Sequence, residues 1–194
     1  MKGSLISGVG LSKTATLLEA GITIRPYRVE DAPALYEAAI ASVEEIRPFM
    51  PWCHEGLTVE QARAWIEDHV TAFESRMAFE FVIMAADGSV LGSCGVNQID
   101  EVKHRGNLGY WVRTSATGRG VATAAIQQVV RWVFENTNLD KLEVVVSTRN
   151  AASIRAAEKA GATREGVSQG RLWLHGTAHD AVIFSFVRAG EPID

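Results

Sequence analysis

Thr117-Gly118-Arg119-Gly120-Val121-Ala122 stands where a strand-like stretch gives way to a long helical one. Glycines at such a junction let the backbone approach a ligand closely. The first amides of the helix lack intrahelical partners, so the pattern can bind an anion. It reads in three ways. As a bare strand-to-helix turn it needs no ligand. As a nucleotide loop it fits poorly: no Gly-Lys-Ser/Thr follows, and Thr123 stands where a dinucleotide fingerprint needs its third glycine. Asp140, a candidate ribose-binding acid, precedes its strand instead of ending it. As a pyrophosphate cradle of another kind the loop depends on residues elsewhere in the chain.

The elements that must hold this loop follow from periodicity and turn chemistry. Ile22 to Arg28 alternates apolar and polar residues and predicts a strand. Asp31 with Pro33 predicts the start of a helix whose apolar positions Leu35, Ala38, Ala39, Val43 and Ile46 continue until Pro48 and Pro51. The loop from Arg47 to His54 is rich in large apolar residues. Thr58 and Gln61 form a capping box for a helix reaching about Ser75. Phe79 to Ala85 and Ser89 to Ile99 read as a hairpin about Asp87-Gly88, and Gly106 to Arg113 as a further strand. Then come a helix from Gly118 to Asn136, a buried strand from Lys141 to Thr148, and a helix from Ala151 to Ala160 stopped by Gly161. Two last strands, Gly166 to Leu174 and Ala181 to Arg188, turn at His175-Gly176. The order β-α-α-β-β-β-α-β-α-β-β predicts an α/β (α+β) domain on a mixed, mostly antiparallel sheet. It is a single domain over residues 21–190, behind an extension, 1–20, that is frayed or an extra hairpin.

Composition narrows the function. At 194 residues, 47% apolar and a formal charge of −4, the chain is long and apolar enough for a core. It is too acidic on average to have nucleic acid as its main partner. No run approaches a membrane span, and the first ten residues make a poor signal peptide. Cys53 and Cys94, 41 residues apart, fit neither a zinc site nor a disulfide framework, so a reduced, cytoplasmic protein without metal is expected. The average conceals an asymmetry. From Arg28 to Glu80 there are eleven acids against four arginines, whereas Val102 to Phe134 holds five cations (Lys103, Arg105, Arg113, Arg119, Arg131) and no acid. Solvated helix faces are one explanation; an anionic cofactor bound beside a cationic substrate is the other.

Five motifs in order resemble the GNAT N-acetyltransferase superfamily, in its RimJ/RimL-like branch that acetylates the N-termini of ribosomal proteins. The superfamily loop, Gln/Arg-x-x-Gly-x-Gly/Ala, is matched by Thr117-x-x-Gly120-x-Ala122, with Thr117 departing from the usual first residue. Gly109-Tyr110-Trp111 resembles the branch's Gly-Tyr-Trp strand. Asn150-Ala-Ala-Ser153 and Gly161-Ala162 resemble its Asn-x-x-Ser and glycine-phenylalanine pair, Ala162 replacing the phenylalanine. Glu165-Gly166 and Leu174-His-Gly-Thr-Ala-His-Asp180 follow. The resemblance runs from about Ile22 to Arg188 and is most specific after Gly106.

The resemblance implies acetyl-CoA as co-substrate, no metal, and direct acetyl transfer to a primary amine. It implies that Gly118, Arg119, Gly120, Val121, Ala122 and Thr123 hold the pyrophosphate, that Tyr110, Trp111 and Val112 offer their backbone to the pantetheine arm, and that Asn150 contacts it. Ser153 matches a serine near the sulfur, where a hydrogen bond to the leaving thiolate is the physically safer role for so weak an acid. The branch's glutamate base falls at Leu172 and the superfamily's other glutamate at Val145, so neither is present; its tyrosine acid falls at Ala157. Glu143, on the strand face of Val145, is the replacement base expected here, acting through water or else tied up in an ion pair. Glu45, His54 and His175 are further candidates. Glu45, Phe49, Trp52 and His175 are expected at the acceptor end. The acceptor is a protein N-terminal α-amino group or a small-molecule amine; an acyl-CoA-binding module without catalysis is the rival class. The protein is expected to be a monomer or homodimer.

Overall fold

The computed structural model describes residues 21–189 together with one short strand before them, β1 (Leu17–Glu19). Beyond that strand, the expectation for residues 1–20 lies outside the described residues. The chain continues through β2 (Ile22–Pro26), α1 (Ala32–Ile40), α2 (Val43–Ile46), α3 (Val59–Glu74), β3 (Phe79–Ala85), β4 (Val90–Asp100) and β5 (Arg105–Val112). It ends with α4 (Val121–Asn136), β6 (Lys141–Ser147), α5 (Ala151–Ala160), β7 (Thr163–Leu174) and β8 (Thr177–Val187). The strands form one sheet in the order β1-β2-β3-β4-β5-β6-β8-β7, antiparallel except where β5 meets β6. This is the mixed, mostly antiparallel sheet flanked by helices that the sequence predicts.

Two apolar clusters cover the two faces, and β3 shows how alternation divides them. Phe79, Phe81 and Ile83 join Val129, Trp132 and Val133 of α4, with Ala157 and Ala160 of α5, in one cluster. Val82 turns the other way and packs with Leu35, Ala38 and Ala39 of α1, Ala62 and Ile66 of α3, and Trp111 of β5. Glu80 shares Val82's face of the strand. It is a carboxylate set among apolar neighbours, only 9% exposed.

Three local expectations are corrected. The apolar spacing from Leu35 to Ile46 does not make one helix, because the chain breaks between α1 and α2. There the Ser42 hydroxyl donates to Ala38 O (2.8 Å) and accepts the Thr114 amide (3.0 Å), tying the break to the strand β5 exit. Asp31 does not cap α1 with its side chain; both its oxygens take the Arg25 guanidinium at 2.7 Å, and one takes the Arg28 amide at 2.8 Å. The last hairpin is longer than predicted at both strands. Its two-residue turn, His175 (φ 49°) and Gly176 (φ 78°), has the positive torsions that suit the twist of paired strands. The capping box of α3 is present: Gln61 N donates to Thr58 Oγ1 (3.3 Å) and Thr58 N to Gln61 Oε1 (3.0 Å).

The pairing of β5 with β6 sets up the site. It runs through Arg105–Lys141, Gly106–Leu142 and Asn107–Glu143, then stops, although both strands continue. Beyond Asn107 they part, so Tyr110, Trp111 and Val112 pair only with Cys94, Ser93 and Gly92 of β4. Their other backbone edge opens into a cleft.

One core residue is out of keeping. The Gln128 side chain on α4 is fully buried, and among the described residues neither its amide nitrogen nor its oxygen has a partner. Gln128→Met should therefore raise stability, by about 1–2 kcal/mol, since it relieves an unsatisfied polar group at similar volume. Thermal and urea unfolding would show the gain; a fall in Tm would mean that the amide is satisfied after all.

Candidate active site

A cavity of about 610 Å³ fills the cleft. Tyr110, Trp111 and Val112 line it from β5, Gly118, Gly120, Val121, Ala122 and Thr123 from the glycine loop and the start of α4, and Asn150 and Ser153 from the start of α5. Gly118 (φ +75°) and Gly120 (φ +80°) lie in the left-handed region, and a Cβ at either would meet nothing within 4 Å. The torsions call for glycine, and the space before the loop is open. Gly120 O accepts the Ala124 amide at 2.9 Å, which leaves the amides of Val121 to Thr123 as the free first turn of α4. Thr117, the departure from the usual loop residue, spends its hydroxyl on Thr114 O (2.8 Å) and so shapes the loop.

Arg119 does not reach this lining, nor do the other four cations of the acid-free segment. Arg113 is given to Glu37 (3.0 Å) and Lys103 to Asp100 (3.1 Å). The cations on the cavity wall are Arg155 and Lys159, both on α5. Their spacing on one helical face with Ser153-containing turns was the available signal, though nothing local distinguishes them from a solvated face.

Asn150 caps α5: its Oδ1 accepts the Ser153 amide at 3.0 Å. Ser153 is joined twice to β5. Its Oγ donates to the Tyr110 hydroxyl (2.8 Å), and that hydroxyl donates to Ser153 O (2.9 Å). Burial pushes the Tyr110 phenol up to about 12 despite the bond from Ser153, so it stays protonated at neutral pH. Glu45 and Phe49 also line this cavity, and the Thr114 hydroxyl donates to the Glu45 carboxylate at 2.8 Å.

A second cavity, about 540 Å³, adjoins the first, with Met50, Tyr110 and Trp111 common to both linings. Trp52, 45% exposed, stands at its wall edge-on to Trp111 (centroids 5.8 Å apart), and Trp65, His54, His69, Ser93 and Asn97 complete much of it. Its acid is Glu80. The sequence reading missed this residue, counting it only among the eleven acids of the first segment; the signal was a lone carboxylate inside the apolar run Phe79-Glu-Phe-Val-Ile-Met-Ala.

Besides Arg119, two sequence candidates are not brought to either cavity. Glu143 faces Arg171 at 3.4 Å, the ion pair that was its alternative reading. His175, in the β7–β8 turn, sets its Nε2 2.8 Å from Arg47 O and ties that hairpin to the loop after α2. Among the described residues no group of three or more His, Cys, Asp or Glu side chains converges as a metal site would require, and no helix is long and apolar enough to cross a membrane. Both cysteines are buried free thiols, pushed up by burial.

A parted strand pair facing a glycine-rich helix start, with a second cavity meeting it at Tyr110 and Trp111, is the architecture of an N-acetyltransferase. The chain belongs to the acetyltransferase (GNAT) domain family, whose family model matches residues 22–163. It is 25% identical over 168 residues to the Bacillus subtilis (strain 168) protein named "Putative ribosomal N-acetyltransferase YdaF", covering 86% of this chain and 91% of that one. Among solved structures, ribosomal-protein-S5-alanine acetyltransferase from Vibrio fischeri superposes with a TM-score of 0.83 at 20% identity, covering 92% of this chain and all (100%) of that chain. The microcin C7 self-immunity acetyltransferase MccE, solved with acetyl-CoA and AMP, gives the same TM-score, 0.83, at 22% identity, over 91% of this chain and 98% of its own. At those identities the two structures bear on the fold alone.

Proposed function

We propose that the protein transfers the acetyl group of acetyl-CoA to the α-amino group of a peptide or protein N-terminus. The observation that carries the coenzyme half of this reading is the first cavity. Free α4 amides and an open, left-handed glycine loop suit a pyrophosphate, and Arg155 and Lys159 add positive charge on the facing wall. When bound, acetyl-CoA supplies an activated acyl group on a thioester. The unpaired edge of Tyr110 to Val112 offers main-chain groups to an extended arm, and one N–H there can polarise a carbonyl.

Ser153, held at the cavity wall by Asn150 and Tyr110, donates a hydrogen bond to the departing sulfur in this reading, after rotation about one side-chain torsion; its position at the wall supports that role. Ser153→Ala should lower kcat about tenfold to a hundredfold with little change in KM for acetyl-CoA, as expected of a donor that matters most in the transition state. Steady-state kinetics with both substrates varied would check it; an equal loss in kcat and coenzyme affinity would make Ser153 a binding residue instead.

The peptide acceptor is supported by the name of one relative, "Putative ribosomal N-acetyltransferase YdaF". It also suits the chemistry: an α-amino group, pKa about 8, needs far less help to deprotonate at neutral pH than a lysine near 10.4. A second reading, a small-molecule amine, is favoured by the tryptophan-walled second cavity of about 540 Å³. Release of free thiol from acetyl-CoA, followed over a panel of N-terminal peptides and small amines, separates the two. Coenzyme binding without turnover on any amine would point to a non-catalytic binding protein.

A further inference from the structure

We propose that Glu80 is the general base that takes a proton from the acceptor amine held in the second cavity. The inference rests on the acetyltransferase reading above and supplies the residue which that reading lacks. No glutamate stands at Leu172 or Val145, and Glu143 is turned toward Arg171.

The sheet register brings Glu80 to the reaction. Glu80 on β3 pairs with Gly95 on β4, and Gly95 with Gly109 on β5. All three lie on one face, and two of them have no side chain. The Glu80 carboxylate occupies the room that Gly95 leaves: a Cβ at position 95 would stand 2.2 Å from Glu80 Oε2. The next place along the row, over Gly109, is open, with nothing within 4 Å of a Cβ there. Gly109 is followed by Tyr110 and Trp111, the residues common to both cavities. The carboxylate thus lies across β4 toward the point where acyl donor and amine must meet.

Its surroundings orient it without neutralising it. Asn97 Nδ2 reaches Glu80 Oε1 at 3.4 Å and the Ser93 hydroxyl reaches Oε2 at 3.5 Å. Asn107 donates to Asn97 Oδ1 (3.1 Å), which turns the Asn97 amide nitrogen toward Glu80. Among the described residues no Lys or Arg pairs with it. The titratable groups around it are His54 from the loop, His69 from α3 and Tyr110 from β5, with Tyr27 and Cys94 buried close by and held neutral by burial and by Glu80 itself. A buried carboxylate without a counter-ion, among tryptophans, suits an incoming ammonium group. Burial pushes the Glu80 carboxyl up to about 7, close to the working range of a base for an α-amino group.

The step balances as follows. The ammonium R–NH3⁺ gives one proton to the Glu80 carboxylate and becomes R–NH2. Its lone pair forms the C–N bond at the acetyl carbon while the C–S bond breaks and its electron pair leaves on sulfur. A second nitrogen proton passes to that sulfur, giving the amide and the free thiol, and Glu80 returns its proton to water.

The test compares wild type with Glu80→Gln on an accepted amine from pH 5.5 to 9. We expect Glu80→Gln to lose about 10²- to 10³-fold in kcat/KM for the amine, to bind coenzyme A with unchanged affinity by calorimetry, and to lose an inflection near pH 7. An infrared difference titration should show a protonated carboxyl band in the wild type that disappears through the same pH and is missing from the variant. Unchanged kcat/KM and pH profile in Glu80→Gln overturns the proposal while leaving the acetyltransferase reading standing. A Glu80 carboxyl that titrates near 4 in the infrared also overturns it. A wild type that binds coenzyme and acetylates no amine overturns both.

Discussion

Gly120→Glu should abolish coenzyme A binding while the fold stands. Gly120 sits at φ +80° at the head of α4, so any L side chain there incurs about 1–2 kcal/mol of backbone strain, which a domain of this size survives. A Cβ at position 120 meets no protein atom within 4 Å, and Gly120 lines the cavity, so the longer side chain has open space beside it and need not disturb the core. Its carboxylate would then stand before the free amides of Val121 to Thr123. It would take the hydrogen bonds and the helix-dipole field meant for the pyrophosphate, and repel the phosphates that remain. We expect affinity for coenzyme A to fall more than a hundredfold by calorimetry, with an unchanged circular dichroism spectrum. Gly120→Asn, which tolerates the same torsions and adds no charge, should keep binding within about tenfold. Equal affinity in wild type and Gly120→Glu would show that the loop is not the cradle.

The second large effect is on stability and follows from burial alone. In the unfolded chain Glu80 ionises around the ordinary value of 4.5, and in the fold at about 7. The folded state therefore holds the proton more tightly. Below about pH 4.5 the group is neutral in both states and costs nothing; as pH rises from there through 7, the fold must accept a buried charge and loses stability. The full loss is on the order of 3 kcal/mol. Glu80→Gln keeps the shape and cannot ionise. It should unfold with the wild type near pH 4.5 and be progressively more stable above it, reaching its full advantage by about pH 8. Chemical denaturation at a series of pH values would measure the divergence; parallel curves would mean that Glu80 is solvated in the fold. Activity and stability are thus expected to change in opposite directions at one residue.

What the sequence made legible was local. The capping box at Thr58, the Asp87-Gly88 hairpin, the helical spacing of α4 and the glycine stop of α5 each depend on residues a few positions apart. So does the glycine loop, whose coenzyme reading rests on the family motifs around it. What escaped is set by residues far apart in the chain. The break at Ser42 depends on the Thr114 amide, and the burial of Glu80 on the cross-strand neighbours Gly95 and Gly109. The five cations of the acid-free segment do not line the cavity: Arg113 and Lys103 are held by acids, and the cations on the cavity wall come from α5. Periodicity shows which face of a strand turns inward. It does not show what stands beside that strand.

The contact between Gly95 and the Glu80 carboxylate has a consequence for how such a chain can diverge. Even alanine at position 95 would displace the carboxylate, because its Cβ would stand 2.2 Å from Oε2. A chain that keeps the acid must therefore keep glycine at position 95. Giving up the acid does not by itself free position 95, because the same Cβ would stand 2.6 Å from the backbone oxygen of Phe79. Residue 80 can change alone; position 95 cannot.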